Sequence, residues 1–258
     1  MGDIDIEKPL DLEEVVKTLA QSMLDEDGKK KADLENPVVC WERMFVTHGK
    51  TEYTGTGSSP KPTAHVLFTA NFSNDTPNPQ RYTLRTERRT KSTCNIVLSK
   101  TYTIGFNLGI KLTPPNPIIE ANAGFHGEMS MAKGVNETFE QELAWTVDNE
   151  IQVPPGHMTR ADLVIKEDEF DGDFSIKSTF YGEVVVRYKT KKQREMEKRE
   201  LVDTVVLGVK RLFTRDKGFE QDLEGRPVFV TRGKCKCRFG IEQNVLLKEM
   251  KLEQSEPN

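Results

Sequence analysis

With 258 residues and 29.3 kDa, the chain is long enough to bury a sizeable core, as one long β-domain or two smaller ones. Charged residues make up 30% of it, yet the net charge is only −4 and the pI near 5.8, which argues against a broad nucleic-acid-binding surface. No apolar run approaches the length of a transmembrane helix, and the first residues lack the basic and apolar regions of a signal peptide, so the chain is expected to be cytoplasmic as synthesised.

Residues 11–24 read as an amphipathic helix. Leu12, Val15, Val16, Leu19 and Met23 recur at helical spacing, with acidic residues in the first turn. The helix either caps the body or lies on a membrane surface, and its acidic polar face favours capping. Residues 25–37 are charged and linker-like. Residues 1–62 are therefore expected to form a small head with one helix, in which Trp41 and Tyr53 either contact a receptor or lipid headgroup or belong to the packed core. From residue 64 to 97 the chain is Thr-rich and strand-like. Val66, Phe68, Ala70 and Phe72 alternate, a Pro/Asn turn follows, and Tyr82, Leu84 and Thr86 resume the pattern.

Residues 103–135 carry the clearest pattern. Ile104, Phe106, Leu108, Ile110 and Leu112 fall on one face of a period-two repeat, with Asn107 and Lys111 on the other. Pro114, Pro115 and Pro117, with Ile118, break the run. Alternation then resumes with Ile119, Ala121, Ala123, Phe125, Met129 and Met131 opposed to Glu120, Asn122, His126 and Glu128. The expectation is a hairpin of two amphipathic arms with its tip at 114–118. Pairing Leu112 with Ile119 sets Phe106 beside Phe125 and Lys111 beside Glu120. Each arm has about nine to eleven residues, the length a tilted strand needs to cross a bilayer. A soluble β-protein makes such hairpins too. Two features favour the membrane reading. The polar face is rich in Gly, Ser, Thr and Asn, which suits a water-filled lumen, and the tip carries Pro and Ile rather than Asn-Gly.

Beyond the hairpin, strand patterns recur to residue 252, with an acidic turn expected at 167–173 and a solvated helix or loop at 191–200. The last residues, 254–258, are expected to be loose. The four cysteines, Cys40, Cys94, Cys235 and Cys237, form no readable framework. Cys235 and Cys237 share a strand face, a poor geometry for bridging each other, and no C-x-x-C pair marks a metal site, so reduced thiols and no metal are expected. No phosphate-binding, metalloprotease or hydrolase motif is found, and the four histidines lack ligand spacing. No catalytic residues and no cofactor are expected.

The ordered set carries a resemblance. A Thr-rich strand at 91–103 precedes the Gly/Ser hairpin. Trp145-Thr146-Val147 then leads into Ile151-Gln152-Val153-Pro154-Pro155, and Gly233-Lys234-Cys235 and Gly240-Ile241-Glu242 come late. This resembles the aerolysin-like β-pore-forming family, the epsilon-toxin and mosquitocidal-toxin group, over residues 64–252. The resemblance implies a mainly β, elongated fold of long twisted antiparallel strands over 63–253, preceded by the head. It also implies a membrane lipid or membrane receptor as partner, and a homo-oligomer in a pore state. The insertion segment falls on 103–135, with Ile104 to Leu112 and Ile119 to Met131 as the lipid-facing arms. Asn107, Lys111, Glu120, Asn122, His126 and Glu128 then face the lumen. Animal members without a leader imply unconventional release and a defence or cell-death role.

Overall fold

The computed structural model describes residues 6–55, 62–105, 107–125, 127–132, 134–190 and 200–252. In chain order the elements are β1 (Leu10–Asp11), α1 (Leu12–Met23), α2 (Glu26–Lys31), β2 (Val38–Cys40), β3 (Met44–His48), β4 (Glu52–Thr54), β5 (Thr63–Asn74), β6 (Gln80–Lys100) and β7 (Tyr102–Thr103). They continue as β8 (Ile110–Leu112), α3 (Asn116–Glu120), β9 (Met129–Met131), β10 (Asn136–Val153), β11 (His157–Lys189), β12 (Leu201–Gly208), α4 (Val209–Leu212), β13 (Glu220–Gln221) and β14 (Pro227–Lys251).

The organiser is β11, whose 33 residues, at about 3.3 Å each, run on the order of 100 Å. One of its edges pairs antiparallel with β14. The other takes β5, β4 and β3 in turn, and β2 and β12 pair at its far end. Beyond β14 lie β6 and then β10, so the main path reads β10-β6-β14-β11-β12. The buried positions of β11 are odd at Ala161, Leu163 and Ile165 and even at Phe170, Phe174 and Ile176, so the strand buries opposite faces in the two stretches, and between them β14 bulges at Ile241, opposite Lys166 and Glu167.

Three cores follow one another along β11. The head core packs Leu12, Val16 and Ala20 of α1 against Tyr102, Phe180, Tyr188, Leu207, Phe213, Phe219 and Phe229, so the head expected over 1–62 is completed by residues from 180–229. A middle core joins Cys94, Ile96, Leu98, Phe170, Phe174, Ile176 and Phe239 to the 104–135 segment. A third holds Leu84, Val147, Ile151, Val153, Leu163 and Ile165. The expected helix is present as α1, capped by Asp11, whose carboxylate accepts from the Glu13 and Glu14 amides at 2.9 and 3.3 Å.

Several sequence expectations need correction. The charged run at 25–37 holds a second helix, α2, because the Asp25 side chain caps the Gly28 amide at 2.6 Å. The acidic run 167–173 is the middle of β11 and not a turn. Its carboxylates face basic residues across the ladder, Asp171 opposite Lys236, Asp173 opposite Lys234, with Glu167 paired to Arg238 at 2.7 Å. Complementary charges on β14 offset the mutual repulsion that made the run look like a break. Cys94 and Cys237, opposite one another on β6 and β14, form a disulfide, which corrects the reading of four reduced thiols. Cys235 remains a free, buried thiol. The expected helix or loop at 191–200 lies outside the described residues apart from Glu200. Trp145 and Gly240, both part of the resemblance, meet directly: a Cβ at Gly240 would stand 2.5 Å from the Trp145 ring, so only glycine leaves room for it.

Candidate membrane-insertion segment

Residues 104–135 hang between the ends of β6 and β10, whose ladder runs without a slip from Val153↔Gln80 to Asn136↔Val97. The segment does not extend that ladder. It folds back onto the middle core as short pieces, a turn bridging Ile104 and Asn107, the pair β8–β9, and the helix α3 between them. The expected hairpin register is therefore corrected for this state: Ile110 faces Met131, Lys111 faces Ser130, and Leu112 faces Met129. Prolines explain the departure. Pro117 sits in the first turn of α3, where a fixed φ and a missing N–H fit a helix start, and the carbonyl of Pro115 accepts from Ile118 and Ile119. After α3 the chain turns through left-handed backbone at Asn122 and Gly124, which interrupts the extended run.

The two-faced pattern nevertheless sorts burial. Leu108, Ile110, Leu112, Ala123, Phe125, Met129 and Met131 are buried in the middle core, while Asn107, Lys111, Glu120, Asn122 and Glu128 are exposed. Ile104 and Ala121 are half-buried and Ile119 is exposed. At the expected tip, Pro114, Pro115 and Ile118 are buried and Pro117 is half-buried. Phe106 and His126 lie outside the described residues. Lys111 pairs with Glu128 at 3.4 Å rather than with Glu120.

The body holds this segment through contacts that no local pattern announces. Tyr53, expected either as a receptor or headgroup contact or as packed core, is half-buried and held against the middle core. Its ring packs edge-on to Phe170 at 5.7 Å, its hydroxyl donates to the Thr113 carbonyl at 2.6 Å, and burial holds its pKa well above the usual tyrosine range. The Thr113 amide in turn donates to Thr51 Oγ1 at 3.1 Å. Trp41, the other expected contact, packs half-buried against the head core. We expect Tyr53→Phe to loosen the docked segment by about 1 kcal/mol, the worth of one hydrogen bond, and to speed amide hydrogen exchange over residues 110–131 a few-fold. Unchanged exchange in a folded Tyr53→Phe protein would remove Tyr53 as a latch.

His48 also faces the segment. Its Nδ1 lies 2.9 Å from Ser178 Oγ, and its pKa is lowered by burial first and then by Lys111, with Glu128 opposing. The sign follows. The unfolded chain protonates His48 near pH 6.5 and the folded chain only below that, so docking is fully stable above about pH 6.5 and weakens as pH falls. His48 is exposed on one side, so solvent screening limits the loss to about 1–2 °C in Tm between pH 7.5 and 5.5. Differential scanning fluorimetry of wild type and His48→Gln checks this: the acid decrement should shrink in the variant, and equal decrements would rule His48 out.

No family model matches the chain, and no curated protein does. Among solved structures, it is similar to the Cry23Aa1 and Cry37Aa1 binary protein complex, with 12% identity, a TM-score of 0.59, and 96% of this chain and 92% of that chain covered. It is also similar to a non-toxic crystal protein from Bacillus thuringiensis, with 12% identity, a TM-score of 0.63, and coverage of 95% and 98%. At this identity the likeness is one of fold. The shared fold is a long antiparallel sheet, and in this chain an apolar segment between two of its strands is folded back on the body.

Proposed function

We propose that the protein is a β-pore-forming protein of toxin-like, defence or cell-death type. It binds a membrane through lipid or a membrane receptor, gathers into a homo-oligomeric ring, and feeds residues 103–135 into a shared transmembrane β-barrel. It acts without catalytic residues. The observation that carries this reading is the register of β6 and β10. Continued past Asn136↔Val97 without a slip, the ladder sets Met129 beside Ile104, Phe125 beside Leu108, Ala123 beside Ile110 and Ala121 beside Leu112, with the turn at Asn116 and Pro117. Apolar residues then meet one another on one face, except that Phe106 falls opposite Gly127. Asn107, Lys111, Asn122 and Glu128 share the opposite face with the exposed pairs Arg81–Glu150, Arg85–Asp148 and Lys91–Glu140 of the flanking strands. That continuous polar face would line the lumen. The register replaces the one read from the sequence by a shift of two residues.

A lone hairpin in lipid leaves edge N–H and C=O groups unpaired at several kcal/mol each, so closure with neighbouring hairpins has to precede or accompany insertion. No helix among the described residues is long and apolar enough to cross a membrane, so strands are the spanning elements of this proposal. A second reading is a non-lytic binding module whose segment stays docked, and it is favoured by the fold neighbour described as non-toxic. Dye release from liposomes of varied composition, with electron microscopy of the same samples, decides between them. Leakage with ring-sized, detergent-stable species is expected. Absence of leakage across compositions favours the module, and leakage from monomers alone defeats the ring.

A further inference from the structure

Beneath the docked segment three cysteines meet. Cys235 and Cys237 stand two apart on one face of β14, and Cys94 stands opposite Cys237 on β6. All three are buried, with exposures of 1% or less. The Cys235 sulfur lies 3.3 Å from that of Cys237 and 3.5 Å from that of Cys94, and all three sulfurs fall within 4.8 Å of one another. No histidine or carboxylate joins the group among the described residues. We propose that, with the Cys94–Cys237 disulfide reduced, these three sulfurs form a binding site for a soft monovalent cation, copper(I).

The donor set selects the ion. Thiolate sulfur favours copper(I) and zinc over hard cations. A structural zinc site closes with four protein ligands, and this cluster offers three sulfurs from two adjacent strands, which suits the three-coordinate sulfur geometry open to copper(I). Reaching the site takes two electrons and two protons from a dithiol reductant, which open the disulfide to two thiols. Binding then releases thiol protons to solvent as the sulfurs ionise. Bringing charged thiolates into this dry core is costly, since all three sulfurs are buried. The entering cation compensates that cost. The half-buried Tyr53, whose hydroxyl interacts with the Cys235 thiol, borders the cluster. Oxidation to the disulfide and binding of the ion exclude one another, so occupancy follows the redox state of the protein.

The test uses the full chain, reduced and held anaerobically, titrated with copper(I) against a chromogenic copper(I) chelator. One equivalent should bind, with affinity falling at least about 100-fold in Cys235→Ser and staying unchanged in Cys40→Ser, the fourth cysteine lying outside the cluster. Equal binding by wild type and Cys235→Ser would overturn the site, and so would an equal loss in Cys40→Ser. X-ray absorption on the loaded wild-type protein keeps the proposal testable should Cys235→Ser misfold. Three sulfur neighbours are expected, and nitrogen or oxygen in the first coordination sphere would overturn it. Neither measurement depends on leakage, so the outcome is separable from that of the pore reading.

Discussion

Leu108→Lys should abolish pore formation, whereas Asn107→Lys, one residue away, should leave it intact and shift conductance toward anions. In the continued register Leu108 faces lipid and Asn107 faces water. A lysine on the lipid face near the midplane costs roughly 2–4 kcal/mol per strand, and a ring repeats that cost in every subunit. The resting structure adds a complication: Leu108 is buried in the middle core and Asn107 is exposed, so lysine at 108 also strains the docked state. Circular dichroism and a melting curve therefore come first. Ile119→Asp supplies a variant free of this difficulty. Ile119 is 47% exposed at rest, so its replacement should spare the fold, yet it lies beside the turn that has to cross the hydrocarbon. Leakage should fall by at least about tenfold, since one carboxylate carried into the membrane costs 2 kcal/mol or more. Equal leakage from Leu108→Lys and Asn107→Lys, both folded, would show that the alternation does not sort lipid from lumen.

The parts of this architecture legible in the sequence are those fixed by local pattern. Alternation at Ile104 to Leu112 and Ile119 to Met131 identifies two faces, and among the described residues the structure exposes the polar one and buries most of the other, with Ile104 and Ala121 half-buried and Ile119 exposed. The α1 helix is legible because its apolar stripe and its Asp11 cap lie within one stretch. Long-range features were not. Nothing near Glu167, Asp171 or Asp173 reveals that Arg238, Lys236 and Lys234 of β14 will pair with them, so a strand reads as a turn. The grip of Tyr53 on Thr113, the position of His48 against Lys111 and Glu128, and the meeting of Cys94 with Cys235 all join residues separated by sixty positions or more. The pairing of the segment is illegible for a different reason: alternation identifies faces but not register, and the prolines and α3 between the arms set the β8–β9 pairing of Ile110 with Met131.

The phase of the β6–β10 ladder allows a switchable test of refolding. In the resting structure Lys111 and Ser130 are exposed partners across β8–β9. In the continued β6–β10 register Lys111 faces Asn122 instead, and Ser130 moves opposite Thr103. The two residues then stand eight positions apart along their strands, on the order of 27 Å at about 3.4 Å per residue. A disulfide between Lys111→Cys and Ser130→Cys, placed on a Cys40→Ser background to avoid a competing surface thiol, spans only about 6 Å between Cα atoms. Oxidised, it should hold the resting pairing and cut leakage by about 100-fold or more, because the bound hairpin cannot reach the closed-barrel register and leaves backbone groups unpaired in lipid. A mild reductant should restore leakage to the level of the Cys40→Ser parent. The complementary pair, Lys111→Cys with Asn122→Cys, should cross-link only in protein taken from membranes. Undiminished leakage from the oxidised 111–130 protein would mean that the segment enters the membrane without changing its pairing. The continued-ladder mechanism would then be wrong, whatever the liposomes release.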